Sequence, residues 1–197
     1  RPLLLLALCQ GFFLTNNVVF IAINGLVGLQ LAPLGWMATL PVTGYVVGSA
    51  LSAGLVAKTQ SHFGRKRSFQ FGLVIAALSA ALCAYAAVTK NFWLLVAATV
   101  VAGYYNANAA LYRFAGPELV APEHKERAIS LVLAGGILGA FAGPNLASAT
   151  RSMLDVPFAA AYLSLVVVAL LSLVVLSLIQ FPEHQAPLPG ASSGRPL

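Results

Sequence analysis

Charge is what this sequence has least of. Only 8% of its 197 residues are Asp, Glu, Lys or Arg, while 59% are apolar. Soluble domains carry roughly 25% charged residues, so 16 charges cannot dress a body of this size in water. The same scarcity excludes intrinsic disorder, which needs low hydrophobicity and high net charge. Acid is scarcer still: Glu118, Glu123, Glu126, Asp155 and Glu183 all fall at segment ends, in connections or in the tail. A carboxylate proton relay inside the apolar segments is therefore missing. The two cysteines, Cys9 and Cys83, both lie in apolar runs, which rules out a disulfide framework. Neither they nor His62, His124 and His184 form a cluster with metal-ligand spacing, so no metal or cofactor is implied. A Gly-x-Ser-Gly nucleophile site and a helix-borne histidine are both lacking, which argues against an intramembrane protease and against an enzyme generally.

What the chain does have is apolar length. A spanning helix needs about 20 mostly apolar residues, and six segments qualify: Leu3–Leu29, Gly35–Ala57, Ser68–Val88, Phe92–Pro117, Arg127–Ala149 and Phe158–Phe181. Together they hold about 144 residues, joined by short connections. The reading is an all-α integral membrane bundle over residues 1–181, followed by a Pro-, Gly- and Ser-rich linker or tail over 182–197. The leucine run after Arg1 looks like a signal peptide but lacks a small-residue cleavage site and continues too far. A start at Arg1 rather than Met suggests a trimmed N-terminus. The net charge of +6 raises nucleic acid as a partner, but the cations sit in the breaks between apolar segments, so no nucleic acid is expected. Eight Lys and Arg residues fall in the terminal regions and the second and fourth connections, against Lys90 and Arg151 in the odd-numbered ones. That bias places both termini in the cytoplasm, with the protein in the cell (inner) membrane.

An internal echo is present. Gly11-Phe12-Phe13-Leu14-Thr15-Asn16 and Gly103-Tyr104-Tyr105-Asn106-Ala107-Asn108 share the pattern Gly-aromatic-aromatic-x-x-Asn, and the same offset of 92 carries Gly44 onto Gly136. Three segments separate the copies, so they enter the membrane from opposite sides. An inverted three-plus-three repeat explains this; chance similarity among low-complexity apolar segments is the alternative.

Polar side chains at membrane depth are costly and therefore informative. Gln10, Asn17 and Asn24 recur every seven residues in the first segment. A heptad step drifts only about 20° on a straight helix, so they are expected to share a face. In the fourth segment, Asn106, Asn108, Tyr112 and Arg113 span an arc of about 160° around Tyr105 at 100° per residue. A single Asn is most simply interhelical hydrogen-bonding glue. The two arcs together predict a hydrated cavity whose solute-binding residues are Asn17, Asn24, Tyr105, Asn108, Tyr112 and Arg113. For Arg113 there are two readings, a cation inside the cavity for an anionic solute or gate, and a side chain snorkelling to the interface.

The second connection reads Ala57-Lys58-Thr59-Gln60-Ser61-His62-Phe63-Gly64-Arg65-Lys66-Arg67. It resembles the loop between helices 2 and 3 of the major facilitator superfamily, Gly-x-x-x-Asp-Arg-x-Gly-Arg-Lys/Arg-Lys/Arg. Gly64, Arg65, Lys66 and Arg67 match; Ala57, Ser61 and His62 depart from it. Pro117-Glu118 through Glu126-Arg127-Ala128 resembles that family's link between helices 4 and 5. The resemblance implies an ion pair between Glu118 and Arg65 that clamps one side of the membrane, weakened here because Ser61 stands where the family has Asp. Gly139, Gly143 and Pro144 resemble the family's Gly-x-x-x-Gly-Pro element in helix 5, associated with antiporters; Ala147 and Ser148 stand where a Gly pair usually follows. A generic packing stripe would read the same way. The family's arginine in upper helix 4 is replaced by the Ala98-Thr99 region.

The resemblance implies the N-terminal half of a transporter, with a C-terminal six-helix half missing from this chain. It implies alternating access for a small solute through the lipid bilayer, gated by Gly64, Arg65, Glu118, Gly139, Gly143 and Pro144. Efflux is slightly favoured by the helix 5 element. Amides and aromatics without acid suit a neutral or anionic, partly apolar solute. The alternative is a non-transporting membrane scaffold, or a half-transporter acting as a homodimer.

Overall fold

The computed structural model describes residues 1–182; the expected tail lies, from residue 183 onward, outside them. Its long elements are α1 (Pro2–Leu31), α2 (Leu40–Thr89), α3 (Phe92–Ala109), a short α4 (Tyr112–Ala115), α5 (Lys125–Thr150) and α6 (Ala159–Ser177). No strand occurs among the described residues. Five helical stretches are long and apolar enough to cross a membrane, since only helices satisfy every backbone donor within a single span.

One of the five counts twice. At about 1.5 Å per residue, the 50-residue α2 would be about 75 Å long, more than twice the ~30 Å hydrocarbon thickness. It breaks at Gly64, whose φ of 79° and ψ of 168° are open to glycine and strained for other residues. On the arm before Gly64, contacts with α3 advance together: Gly48 meets Val100, and Gln60 meets Asn108. On the arm after it they run in opposition, Ser68 meeting Asn108 and residues 80–87 joining the cluster around Leu95. The two arms are therefore antiparallel. The connection expected at Lys58–Arg67 is almost entirely helical, because Lys, Arg and Gln are good helix formers and only Gly64 departs. A second tight reversal follows Thr89: Lys90 caps α2 at φ 53°, and Asn91 Oδ1 accepts the Leu94 amide at 3.1 Å to start α3.

The fourth segment is not one helix to Pro117, as its composition suggests. It breaks at Ala110–Leu111, resumes as α4 and ends in a short 3-10 turn, Gly116–Leu119. Pro144, by contrast, sits on the exposed side of α5, and that helix runs continuously past it.

Lipid is as apolar as leucine, so helix pairs in a membrane are held by close packing. Here two seams bring backbones into contact. A Cβ at Gly139 would strike the Gly11 carbonyl, one at Gly135 the Ala7 carbonyl, and one at Gly103 the backbone of Gly48 and Ser49. Thr15 Oγ1 spans the first seam, lying 2.9 Å from Gly11 O and 3.0 Å from Gly139 O. The seams are related by the sequence echo. Gly11 of the first copy packs on α5, as Gly103 of the second packs on α2. The equivalent rings Phe13 and Tyr105 meet edge-on at 5.7 Å, as residues beside a pseudo-twofold axis do. The fold is an inverted repeat of three spans.

Gly139→Ala is expected to place a methyl against backbone that cannot yield, lowering the monodisperse yield on size-exclusion chromatography and the Tm. Gly25 has open space around a Cβ, so Gly25→Ala is expected to stabilise by about 0.5–1 kcal/mol. Equal behaviour of the two variants would contradict the seam.

Candidate functional site

The seams fix the rotation of α1 and α3, and so decide which polar groups meet. Asn17 on α1 is half-buried; its Nδ2 donates to Asn106 Oδ1 of α3 at 2.8 Å and lies 3.1 Å from Tyr45 Oη of α2. Asn106 Nδ2 donates in turn to Ser49 Oγ at 3.2 Å. Three spans thus share one node of two amides and two hydroxyls, none of them ionic. It keeps partial access from outside the bundle: Asn17, Ser49 and Asn106 are all half-buried, while Tyr45 is buried behind them.

Asn24 does not share this node. It is fully buried, donates to its own Phe20 carbonyl at 2.8 Å and accepts from Tyr162 Oη of α6 at 2.8 Å. Gln10 lies beside Gly136 of α5, with its Oε1 buried and unpartnered. The three heptad positions of α1 therefore address three different neighbours: α5, the α2–α3 pair and α6. A drift of about 40° over two heptads, on a helix surrounded by others, separates what a face diagram superimposes.

Tyr105 and Tyr112 are buried in an aromatic cluster. Phe13 lies edge-on to both, at 5.7 and 6.3 Å, and Phe69 packs on Tyr112 at 4.8 Å. They belong to the apolar core with Leu6, Cys9 and Leu73. Arg113 is exposed on α4, its guanidinium 4.8 Å from the Phe114 ring.

Asn108 belongs to a second cluster, at the end of the bundle where α2 turns. It is almost fully buried; Nδ2 donates to the Ser68 carbonyl at 2.6 Å, and Oδ1 accepts from Gln60 Nε2 at 3.1 Å. Gln60 Oε1 accepts from Arg65 Nη1 at 3.2 Å. Arg65 meets Glu118 through Nε and Nη2, both 2.7 Å from Oε1. The ion pair implied by the resemblance is thus formed, with its side chains 27% and 41% exposed. Lys66 Nζ donates to the Ser177 carbonyl at 2.8 Å, tying the turn to the end of α6.

Of the six candidate solute residues, the structure brings Asn17 into the node, buries Asn24, Tyr105, Asn108 and Tyr112, and leaves Arg113 outside both clusters. Sequence reasoning passed over Tyr45, Ser49 and Gln60, and left Asn106 off the candidate set. Tyr45 and Ser49 stand four apart beside Gly44 and Gly48, so the small-residue stripe that marks the seam also marks them. Gly139 and Gly143 lie against Gly11 and Val18 in the α1–α5 seam.

This is a polytopic membrane bundle with a neutral, half-buried polar node shared by three spans and an ion pair at one end. The family model described as Major Facilitator Superfamily matches residues 3–197, and the chain belongs to that superfamily of membrane transporters. It is 32% identical over 199 residues to the riboflavin transporter RfnT of Brucella anthropi, covering 100% of this chain and 50% of that protein. It is 27% identical over 146 residues to the uncharacterized MFS-type transporter YdeG of Bacillus subtilis, covering 74% of this chain and 34% of YdeG. The crystal structure of the human organic anion transporter MFSD10 (TETRAN) superposes with a TM-score of 0.67 at 17% identity, over 91% of this chain and 47% of that one, a likeness of fold. The chain spans about half the length, or less, of the curated relatives it matches.

Removing Asn24 would strand the Tyr162 hydroxyl. Asn24→Ala is expected to destabilise by about 0.5–1.5 kcal/mol, the range of interhelical hydrogen bonds in membranes, read as a lower Tm in detergent. Adding Tyr162→Phe should recover part of the loss; strict additivity would show that the bond contributes nothing.

Proposed function

We propose that the chain is the N-terminal half of a secondary transporter, and that the node of Asn17, Tyr45, Ser49 and Asn106 forms its side of the solute site. The observation that carries this reading is the node itself: amides and hydroxyls from three spans converge at membrane depth, and Asn17, Ser49 and Asn106 retain partial exposure. Had they served only as glue, burial like that of Asn24 would be expected. The missing partner is a C-terminal six-helix half, which would close over the node and rock against this bundle. Both termini are cytoplasmic in this reading, with the basic α2 turn on the cytoplasmic side of the cell membrane, where the positive-inside bias puts it.

The node's chemistry suits a conjugated, hydrogen-bonding solute without a required positive charge. None of the five long helices carries an acid beyond its first turn to select a cation. Riboflavin, the solute named for the Brucella relative, has both the flat ring and the polar edge, and is the substrate proposed here. Export, the direction implied by the helix 5 resemblance, rests on that resemblance alone, because the packing of α5 on α1 already accounts for Gly139 and Gly143. Arg65 and Glu118 act as the cytoplasmic clasp: a pair this exposed is worth about 0–1 kcal/mol, weak enough to break in each cycle.

The test uses the complete protein in proteoliposomes, with riboflavin flux measured in both orientations. Asn17→Ala and Asn106→Ala are each expected to lower the initial rate about tenfold, the equivalent of one charge-neutral hydrogen bond near the top of its net range. Unchanged flux in both variants would remove the node from the solute site.

A further inference from the structure

Resting on the reading above, we infer that Gln60 is a positioning residue that joins the solute-facing node to the Arg65–Glu118 clasp through Asn108. The physical basis is the last turn of α3. Asn106 and Asn108 are two residues apart, and they address opposite partners. Asn106 bonds Asn17 and Ser49 in the node. Asn108 bonds the Ser68 carbonyl of the second α2 arm and the Gln60 amide of the first. Gln60 then presents its oxygen to Arg65 at 3.2 Å. One run of hydrogen bonds passes from Ser68 through Asn108, Gln60 and Arg65 to Glu118, crossing the Gly64 break.

Gln60 suits this task for a chemical reason. A primary amide donates and accepts at once, so it can give N–H to Asn108 and oxygen to Arg65. No other residue type of that length does both while staying neutral. It also stands one residue before Ser61, where the resembling loops carry Asp. Here the second acceptor for Arg65 is a neutral amide instead of an acid. Arg65 is thereby oriented without being overbound, and its position becomes conditional on where Asn108 holds Gln60. Asn106 and Asn108 share the last turn of α3 (Phe92–Ala109), so the two side chains move as one body. A shift of Asn106 toward or away from a solute rotates the turn that carries Asn108. Gln60 moves with it, and the clasp tightens or slackens.

Hydrogen exchange in peptides covering residues 112–120 of the complete protein, in nanodiscs, reads the clasp directly. Gln60→Met fills the same space and removes both bonds; Glu118→Gln removes the ion pair. Each is expected to raise exchange by up to about fivefold, the most that an exposed pair of about 0–1 kcal/mol supports. The double variant should exchange no faster than the faster single, because Gln60 acts through the pair. Effects that multiply in the double variant would overturn the inference, as would no effect of Gln60→Met. Gln60→Glu supplies the second arm: ionised, it still accepts from Arg65 but cannot donate to Asn108. Asn106→Ala should raise exchange at 112–120 in the native background and leave it unchanged in Gln60→Glu. Persistence of the Asn106→Ala effect in Gln60→Glu would show that the node and clasp communicate, if at all, by another route. Exchange is measured without solute, so a protein that fails to move riboflavin, which would sink the substrate proposal, still answers this one.

Discussion

Backbone-to-backbone contact through glycine is the constraint on which the other features depend. In lipid, burying leucine against leucine gains little, because the alternative environment is equally apolar. Helices must instead approach until their backbones touch, and a single Cβ prevents it. At the α1–α5 seam, Gly135 and Gly139 lie on Ala7 and Gly11; at the α2–α3 seam, Gly103 lies on Gly48 and Ser49. Such contacts fix rotation as well as distance, since only one side of each helix is bare. With α1 and α3 so locked, Asn17 and Asn106 are aimed at each other. The polar node is thus a consequence of the packing, held by residues that have no polar side chain at all.

The two polar clusters differ in kind, and the difference fits where they sit. The node is neutral, so its partial desolvation costs about what a hydrogen-bonded amide costs, a modest penalty. An ion pair at the same depth would face a desolvation penalty of several kcal/mol per charge. Among the described residues, the Arg65–Glu118 ion pair lies instead at the end of the bundle, with both partners a quarter or more exposed. There it is screened, weak and reversible. A deeply buried pair would be a permanent lock, whereas an exposed one is compatible with a bundle that changes state. Neutral amides inside and a charge pair at the rim divide the two tasks by the local dielectric.

The apolar spans and the glycine–aromatic echo were legible from apolar run length and from small residues at fixed offset. Both signals survive in sequence because they depend on composition over a whole segment. The connections were less so: Lys58–Arg67 reads as a loop by charge, yet these residues are helix formers and only one glycine interrupts them. The clasp was legible through Arg65 and Glu118, because charged residues are few enough that each has limited choice of partner. The node was only half legible. Asn17 stood out as an amide in an apolar run, but its seven-residue relation to Asn24 suggested a shared cavity that packing does not provide. Which neighbour a helix face meets is a tertiary fact. The sequence of one helix holds its angular positions and not the helices at those angles, which is why Asn24 pairs with Tyr162 and Asn108 with Gln60.

The repeat also separates scaffold from chemistry. Across the offset of 92, the packing residues correspond: Gly11 with Gly103, Phe13 with Tyr105, Gly44 with Gly136. Most of the polar residues do not, the Asn16–Asn108 pair of the echo excepted. Asn17 corresponds to Ala109, Asn106 to Leu14, Tyr45 to Ile137, Ser49 to Phe141, and Arg65 to Pro157. The seam partners correspond only in part, since Gly135 and Gly139 align with Thr43 and Val47, and Gly48 with Ala140. The second copy of the node's position is apolar, with Ile137 and Phe141 exposed on α5 beside the groove of about 700 Å³ along α1. One flank of the pseudo-twofold axis carries hydrogen-bonding groups and the other carries apolar surface. That asymmetry, laid over two glycine seams, gives the bundle a polar flank and an apolar flank without any change of fold.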